Sequence, residues 1–176
     1  MQRLWRIVLV STVVIVGGTA VVLGVLYSVG AFAEQGRFKA VPGCAVLDAA
    51  TVAPVLPSAQ FEASGGNCTA TDGATQINVG FTLVSKQGRV GGPELASRSL
   101  DAVTVAGGGT ERLRGVGDQA IRQRTEAIGR PQIITMRVSN LIVVVSVANL
   151  NGGDLPAAVD DGLVRVAKAL AARLTG

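Results

Sequence analysis

The pattern of apolar and polar positions divides the chain into one long uninterrupted apolar run and a following region of mixed periodicity. From Ile7 to Ala33 there are 27 consecutive residues without a charged side chain. A helix rises about 1.5 Å per residue, so roughly 20 residues cross a hydrocarbon core of about 30 Å. Residues 7–32 therefore read as a transmembrane helix serving as a signal anchor, with 1–6 a cytoplasmic start and 33–43 a short polar linker. Trp5 and Tyr27 stand near its two ends, where amphipathic rings favour the headgroup level. Arg3 and Arg6 precede the run, and the positive-inside bias puts Met1 in the cytoplasm and residues 44–176 outside. Ala31-Phe32-Ala33 also fits the small-x-small pattern of a signal peptidase, so secretion after cleavage near Ala33 stands as the alternative. Ala20, Gly24 and Ser28 recur every four residues, a spacing that lets two membrane helices approach closely, although valine-rich spans carry small residues by composition alone.

Beyond residue 43 the periodicity changes. Cys44 opens a short helix with Leu47, Val52, Val55 and Leu56 as its apolar face and Asp48 near its start. Asp72-Gly73 is the strongest hairpin signal, flanked by a strand over 68–71 and one over 75–84. In the second, Ile77, Val79, Phe81 and Leu83 alternate with polar or small residues, which predicts one covered and one wet face. A helix follows from Pro93 to the Gly107-Gly108-Gly109 break, then a strand over 119–125. Residues 131–138 and 141–148 form a second hairpin turning at Ser139-Asn140. The β-branched run Leu141 to Ala148, apolar on both faces, predicts a central strand. Val159, Leu163, Val166, Leu170 and Leu174 mark a C-terminal amphipathic helix. The expected architecture is α+β: an N-terminal transmembrane helix, then one extracytoplasmic domain (44–176) with an antiparallel sheet of about five strands and helices packed on one face.

Charge narrows the partner classes. The net charge of +4 includes Arg3 and Arg6, and the remaining 14 basic and 12 acidic side chains are near balance. Without a Lys/Arg block or interleaved aromatics, nucleic-acid binding is not expected. Cys44 and Cys68, the only cysteines, lie on the exported side, where disulfides persist. The chain has no histidine, which argues against a zinc site and against a Ser-His-Asp or Cys-His catalytic set. Val41-Pro42-Gly43-Cys44 matches a lipobox only faintly, because Arg37 and Lys39 separate it from the apolar run.

A resemblance rests on the early cysteine followed by Val46-Leu47-Asp48-Ala49-Ala50 and the second cysteine after a Gly-Gly turn. To these are added Gly115-Val116-Gly117-Asp118-Gln119-Ala120, the β-branched strand and the Ala/Leu/Arg-rich C-terminal helix. Across residues 43–175 the chain resembles the actinobacterial family of exported, lipoprotein-like domains of unknown function. The resemblance implies cell-envelope placement, a compact α+β domain and no established enzymatic activity. The chain departs from the family in lacking a lipobox.

Candidate chemistry is sparse. Gly115-x-Gly117-x-x-Ala120 fits a dinucleotide fingerprint in letters, but neither a buried strand before it nor a helix after it is expected, so a tight turn is the better reading. Ser85 or Ser97 with Lys86, and carboxylate pairs among Glu94, Asp101, Asp118 and Glu126, lack a supporting spacing. Asn67-Cys68-Thr69 matches a glycosylation acceptor only in form. Among Arg112, Arg114, Arg122, Arg124, Arg130 and Arg137, three draw notice. If 119–125 pairs with 132–138, Arg122, Arg124 and Arg137 would line neighbouring exposed positions and could engage an anionic partner. An ordinary solvated face, its charge diluted by Glu111, Asp118 and Glu126, is the plainer alternative. The expected function is a non-catalytic, membrane-anchored envelope protein that binds a partner protein or envelope component and needs no cofactor. The alternative is a carrier or sensor of a small apolar ligand, with an unusual hydrolase less favoured.

Overall fold

The Asp72-Gly73 signal forms the hairpin it predicts. β2 (Asn67–Asp72) and β3 (Thr75–Leu83) pair antiparallel from Asp72↔Thr75 to Asn67↔Gly80, and Gly73 takes the φ of +58° that such a two-residue turn demands. The computed structural model describes residues 30, 33–64, 66–106, 109–124 and 131–176. β6 (Gln132–Val138) and β7 (Leu141–Asn149) form the second hairpin about Ser139-Asn140, and β7 pairs with β3 along its whole length. With β1 (Gln60–Ser64), β4 (Thr110–Leu113) and β5 (Gln119–Arg124), the described strands make one seven-stranded antiparallel sheet in the order β1-β2-β3-β7-β6-β5-β4. β7 is the middle strand, as its two-sided apolar pattern predicts.

Three parts of the expected architecture are corrected. The sheet has seven strands rather than about five, because β1 and β4 extend its two edges. Each edge strand is paired on one flank only, and with β1 exposed throughout and Glu111 and Arg112 of β4 in water, neither short segment carries an alternating apolar signature. Secondly, the helices do not share one face. α1 (Ala49–Val52) and α3 (Ala158–Thr175) pack with the sheet side carrying Val79, Val145, Ile134 and Ala120. α2 (Gly92–Ala106) lies on the reverse: its Ser97 and Asp101 bond the side chain of Gln119, which alternates with Ala120. Thirdly, among the described residues no helix is long and apolar enough to cross a membrane, and the expected transmembrane segment 7–32 lies almost wholly outside them.

The α3 side is the main core. Val159, Leu163, Val166, Leu170 and Leu174, the stripe read from spacing, are all buried there against Ile77, Val79, Met136, Val143, Val145 and Val147. Each such side chain contributes about 1.5–3 kcal/mol on burial. Gly162 belongs to the same contact, since a Cβ there would meet Val55 and the Pro54 carbonyl.

Residues 33–43 are docked on the domain. The Arg37 amide donates to Ser139 Oγ (2.9 Å) and the Phe38 amide to Asn140 Oδ1 (2.9 Å). Asn140, fully buried, returns its Nδ2 hydrogens to the carbonyls of Phe38 and Val84. The Gly92 amide donates to the Glu34 carbonyl, and the Arg37 guanidinium donates to the carbonyls of Leu174 and Thr175 at the end of α3. One buried amide side chain thus joins the strap, the β6–β7 turn and the segment after β3.

Candidate functional site

Cys44 and Cys68 form the expected disulfide, with their Cα atoms 5.3 Å apart. Cys68 is buried on the core side of β2, and Cys44 opens a 3-10 turn (Cys44–Val46) that leads to buried Leu47. The next residue, Asp48, caps α1. Its Oδ1 accepts from the Thr51 amide (2.9 Å) and hydroxyl (2.8 Å), and its Oδ2 accepts from Arg173 of α3 (2.6 Å). The Thr51 amide, then its hydroxyl, then Arg173 hold the Asp48 carboxyl below the ordinary carboxylate range. The segment after Cys44 is thereby fixed to β2 at one end and to α3 at the other.

Beside this segment the sheet ends in β1, all five of whose residues are exposed. Phe61 faces Ala70 and Ala63 faces Cys68 across the β1–β2 ladder, so both project to the disulfide side. Phe61 remains 46% exposed, and Glu62 alternates to the other side. Between β1 and the disulfide segment lies an open pocket of about 130 Å³ bounded by Cys44, Leu47, Phe61, Glu62, Ala63 and Cys68. Sites for drug-sized ligands occupy roughly 300–1,000 Å³. This pocket has room for one aliphatic side chain. A lone aromatic in a polar pentapeptide just before the Gly65-Gly66 turn was the available sequence signal for this edge.

The structure pairs 119–124 with 132–138, yet it does not assemble the three arginines. Arg122 stands opposite Ile134 and Arg124 opposite Gln132, on the α3 side, whereas Arg137 stands opposite Gln119 on the α2 side. Each is also matched by a carboxylate. Arg122 binds Glu111 (2.5 Å), Arg124 binds Asp160 of α3 (3.1 Å), and Arg137 binds Asp118 (3.1 Å). The Arg137 Nη1 also donates to the Ser139 carbonyl, and Asp118 accepts the Ser139 amide. Hydrogen bonding and charge from Arg122 hold the Glu111 carboxyl below its usual range. Period two puts Arg122 and Arg124 on one face of the sheet and Arg137 on the other, so the three do not line neighbouring positions.

The remaining sequence candidates fall out separately. Ala20, Gly24, Ser28, Glu126 and Arg130 lie outside the described residues. Gly115 and Gly117 shape the bend from β4 into β5, where the Asp118 amide donates to the Arg137 carbonyl, so no strand-to-helix phosphate cradle exists there. Glu94 pairs with Arg98, and Asp101 pairs with Arg112 and accepts from Gln119. Ser97 donates to Gln119, and Ser85 is exposed in the segment after β3. Asn67-Cys68-Thr69 lies within β2. Among the described residues no group of three or more His, Cys, Asp or Glu side chains could hold a metal ion. No family model, curated protein or solved structure matches the chain.

Proposed function

We propose that the chain is a non-catalytic, exported protein of the cell envelope, held at the membrane by its apolar N-terminal sequence, whose outer domain binds a partner protein along β1. The exposed β1 edge beside the disulfide pocket carries this reading. An extended segment of a partner can add to such an edge through its backbone, while an alternate side chain enters an adjoining pocket. Here the pocket suits one aliphatic residue, and Glu62 favours a partner residue of positive charge. The 27-residue uncharged run and the disulfide support export. A non-catalytic role agrees with the carboxylates Glu94, Asp101 and Asp118 each being engaged by an arginine. The resemblance to exported lipoprotein-like domains implies the same envelope placement and no established enzymatic activity.

A protein partner is favoured over an anionic polymer because Arg122, Arg124 and Arg137 are divided between faces and paired. The apolar-carrier alternative gains no observation of its own. Val143, Val145 and Val147 of the central strand are fully buried against α3.

The test is site-specific photo-crosslinking of the full chain in its native membrane. A crosslinker replacing Phe61 is expected to give one discrete adduct. One replacing Leu150, a still more exposed apolar residue just beyond the end of β7, is expected to give none. Ala63→Arg, which fills the pocket mouth, should remove the adduct without lowering the unfolding midpoint. Identical adducts from both positions, or none from Phe61, would overturn the reading.

A further inference from the structure

The way the chain enters the domain carries information about orientation. The uncharged stretch ends at Ala33, and the chain is already seated by then. Gly30 is buried against the turn following β3: a Cβ on it would lie 1.8 Å from the Gly88 carbonyl oxygen, and its φ is +72°. The Ala33 amide donates to the Gly30 carbonyl, and the Gly92 amide donates to the Glu34 carbonyl. Gly36, at φ +101°, lies so close to the Asn140 side chain that a Cβ there would overlap it at 2.3 Å. Hydrogen bonds from Arg37 and Phe38 to the β6–β7 turn follow at once. Little slack separates the apolar run from the folded domain.

All these contacts lie at one end of the sheet, where β3 finishes, the β6–β7 turn sits and α3 ends. The exposed cations Arg37, Lys86, Arg89 and Arg114 belong to this end and outnumber its exposed carboxylates Glu34 and Asp118, the latter paired with Arg137. The opposite end, with the β2–β3 turn and the start of α3, presents Asp72, Asp154, Asp160 and Asp161 against Arg124. A charge gradient along the strands therefore points its positive end toward the apolar run.

We infer that the end of the sheet bearing residues 86–90 rests on the membrane surface and is seated by anionic lipid headgroups, with β1 held sideways at a fixed height. The inference rests on the membrane-held reading above. The strap supplies the orientation, since a run embedded in lipid that leads straight into Gly30 leaves the domain little freedom to turn. The cations supply the preference for anionic headgroups, an attraction that added salt screens within about 10 Å at 0.1 M. The distal turns stand roughly 30 Å further out, the length of β3 and its flanking residues at about 3.3 Å per residue.

The experiment uses the full chain in vesicles of phosphatidylglycerol mixed with phosphatidylcholine, and in phosphatidylcholine alone. Nitroxide labels are placed at Gln87→Cys and, separately, at Asn151→Cys. Flotation reports attachment, and collision with a water-soluble paramagnetic reagent reports the height of each label. The label at 87 is expected to be several-fold less accessible than that at 151 on the anionic vesicles. Lys86→Glu with Arg114→Glu should erase most of the difference. Equal accessibility of both labels in a chain that floats overturns the orientation and leaves the tether intact. Equal protection of position 87 on phosphatidylcholine alone overturns the anionic surface as its seat. A chain that fails to float overturns the membrane-held reading and this inference together.

Discussion

At one edge of the sheet β1 exposes Gln60 to Ser64 along its whole length, with Phe61 beside an open pocket. At the other edge β4 presents Glu111 and Arg112, each locked into an ion pair, with Arg122 and Asp101. Both strands leave backbone donors and acceptors without a neighbouring strand, which invites unwanted pairing. Paired charges on β4 answer that hazard, because an incoming strand would have to displace or bury them. β1 carries only Glu62 and keeps an aromatic in water. Two edges of one sheet under the same hazard are treated differently: β4 is guarded by ion pairs, and β1, on the function proposed above, is the edge left for a partner.

The largest test of that contrast is the disulfide, which buttresses the β1 side alone. Replacing Cys44 and Cys68 by serine, or reducing them, should cost about 3–4 kcal/mol for a loop of this length in denaturant unfolding. Hydrogen exchange should quicken in β1 and β2 ahead of β4 and β5. Equal loosening of both edges would remove the asymmetry. Asn140→Ala is the symmetrical counterpart, because its buried amide ties the strap to the middle of the sheet. Leaving its backbone partners unsatisfied should cost about 2–3 kcal/mol and lower the protection of both edges together.

Acid distinguishes the edges more gently. Asp48 supports the β1 side and Glu111 stands on β4, and both carboxyls are held below their ordinary value. A depressed folded-state value means that the stability each contributes is present above the unfolded-state value and is lost as pH falls through the folded one. Acidification should therefore lower the melting temperature. Asp48→Asn should flatten that dependence and expose β1–β2, whereas Glu111→Gln should flatten it and expose β4–β5. A pH profile unchanged by both substitutions would contradict the assignment.

Smaller in stability, though not in behaviour, is Arg112→Val. The Arg112–Asp101 pair is exposed on both sides and such pairs contribute little to folding, so the unfolding midpoint should hardly move. Light scattering should nonetheless show concentration-dependent association through β4. Smallest of all is Phe61→Ser, expected within about 0.5 kcal/mol of the parent in denaturant unfolding because the ring is half exposed. A larger loss would mean that Phe61 is structural rather than presented to a partner.

Strong local signals were legible in the chain. The Asp72-Gly73 turn, the β-branched strand at 141–149 and the leucine-valine stripe of α3 each announce themselves through a period or a turn residue. β1 and β4 were not legible, since a short edge strand whose residues are mostly exposed has too little apolar pattern to advertise. The docking of Arg37 and Phe38 was hidden for another reason: their partners lie about a hundred residues away. The guanidinium groups of Arg122, Arg124 and Arg137 were visible as residues, but their partners and faces were not.

The sequence by itself determined the elements whose stability is local or patterned: the core helix, the two hairpins, the central strand and the pair of cysteines available to close a loop. Tertiary structure alone decided which face each helix covers, which arginine meets which carboxylate, and which sheet edge stays open. The physical reason is that periodicity records only whether a residue is covered. What covers it depends on strands and turns brought together from distant parts of the chain, and no local pattern encodes that meeting.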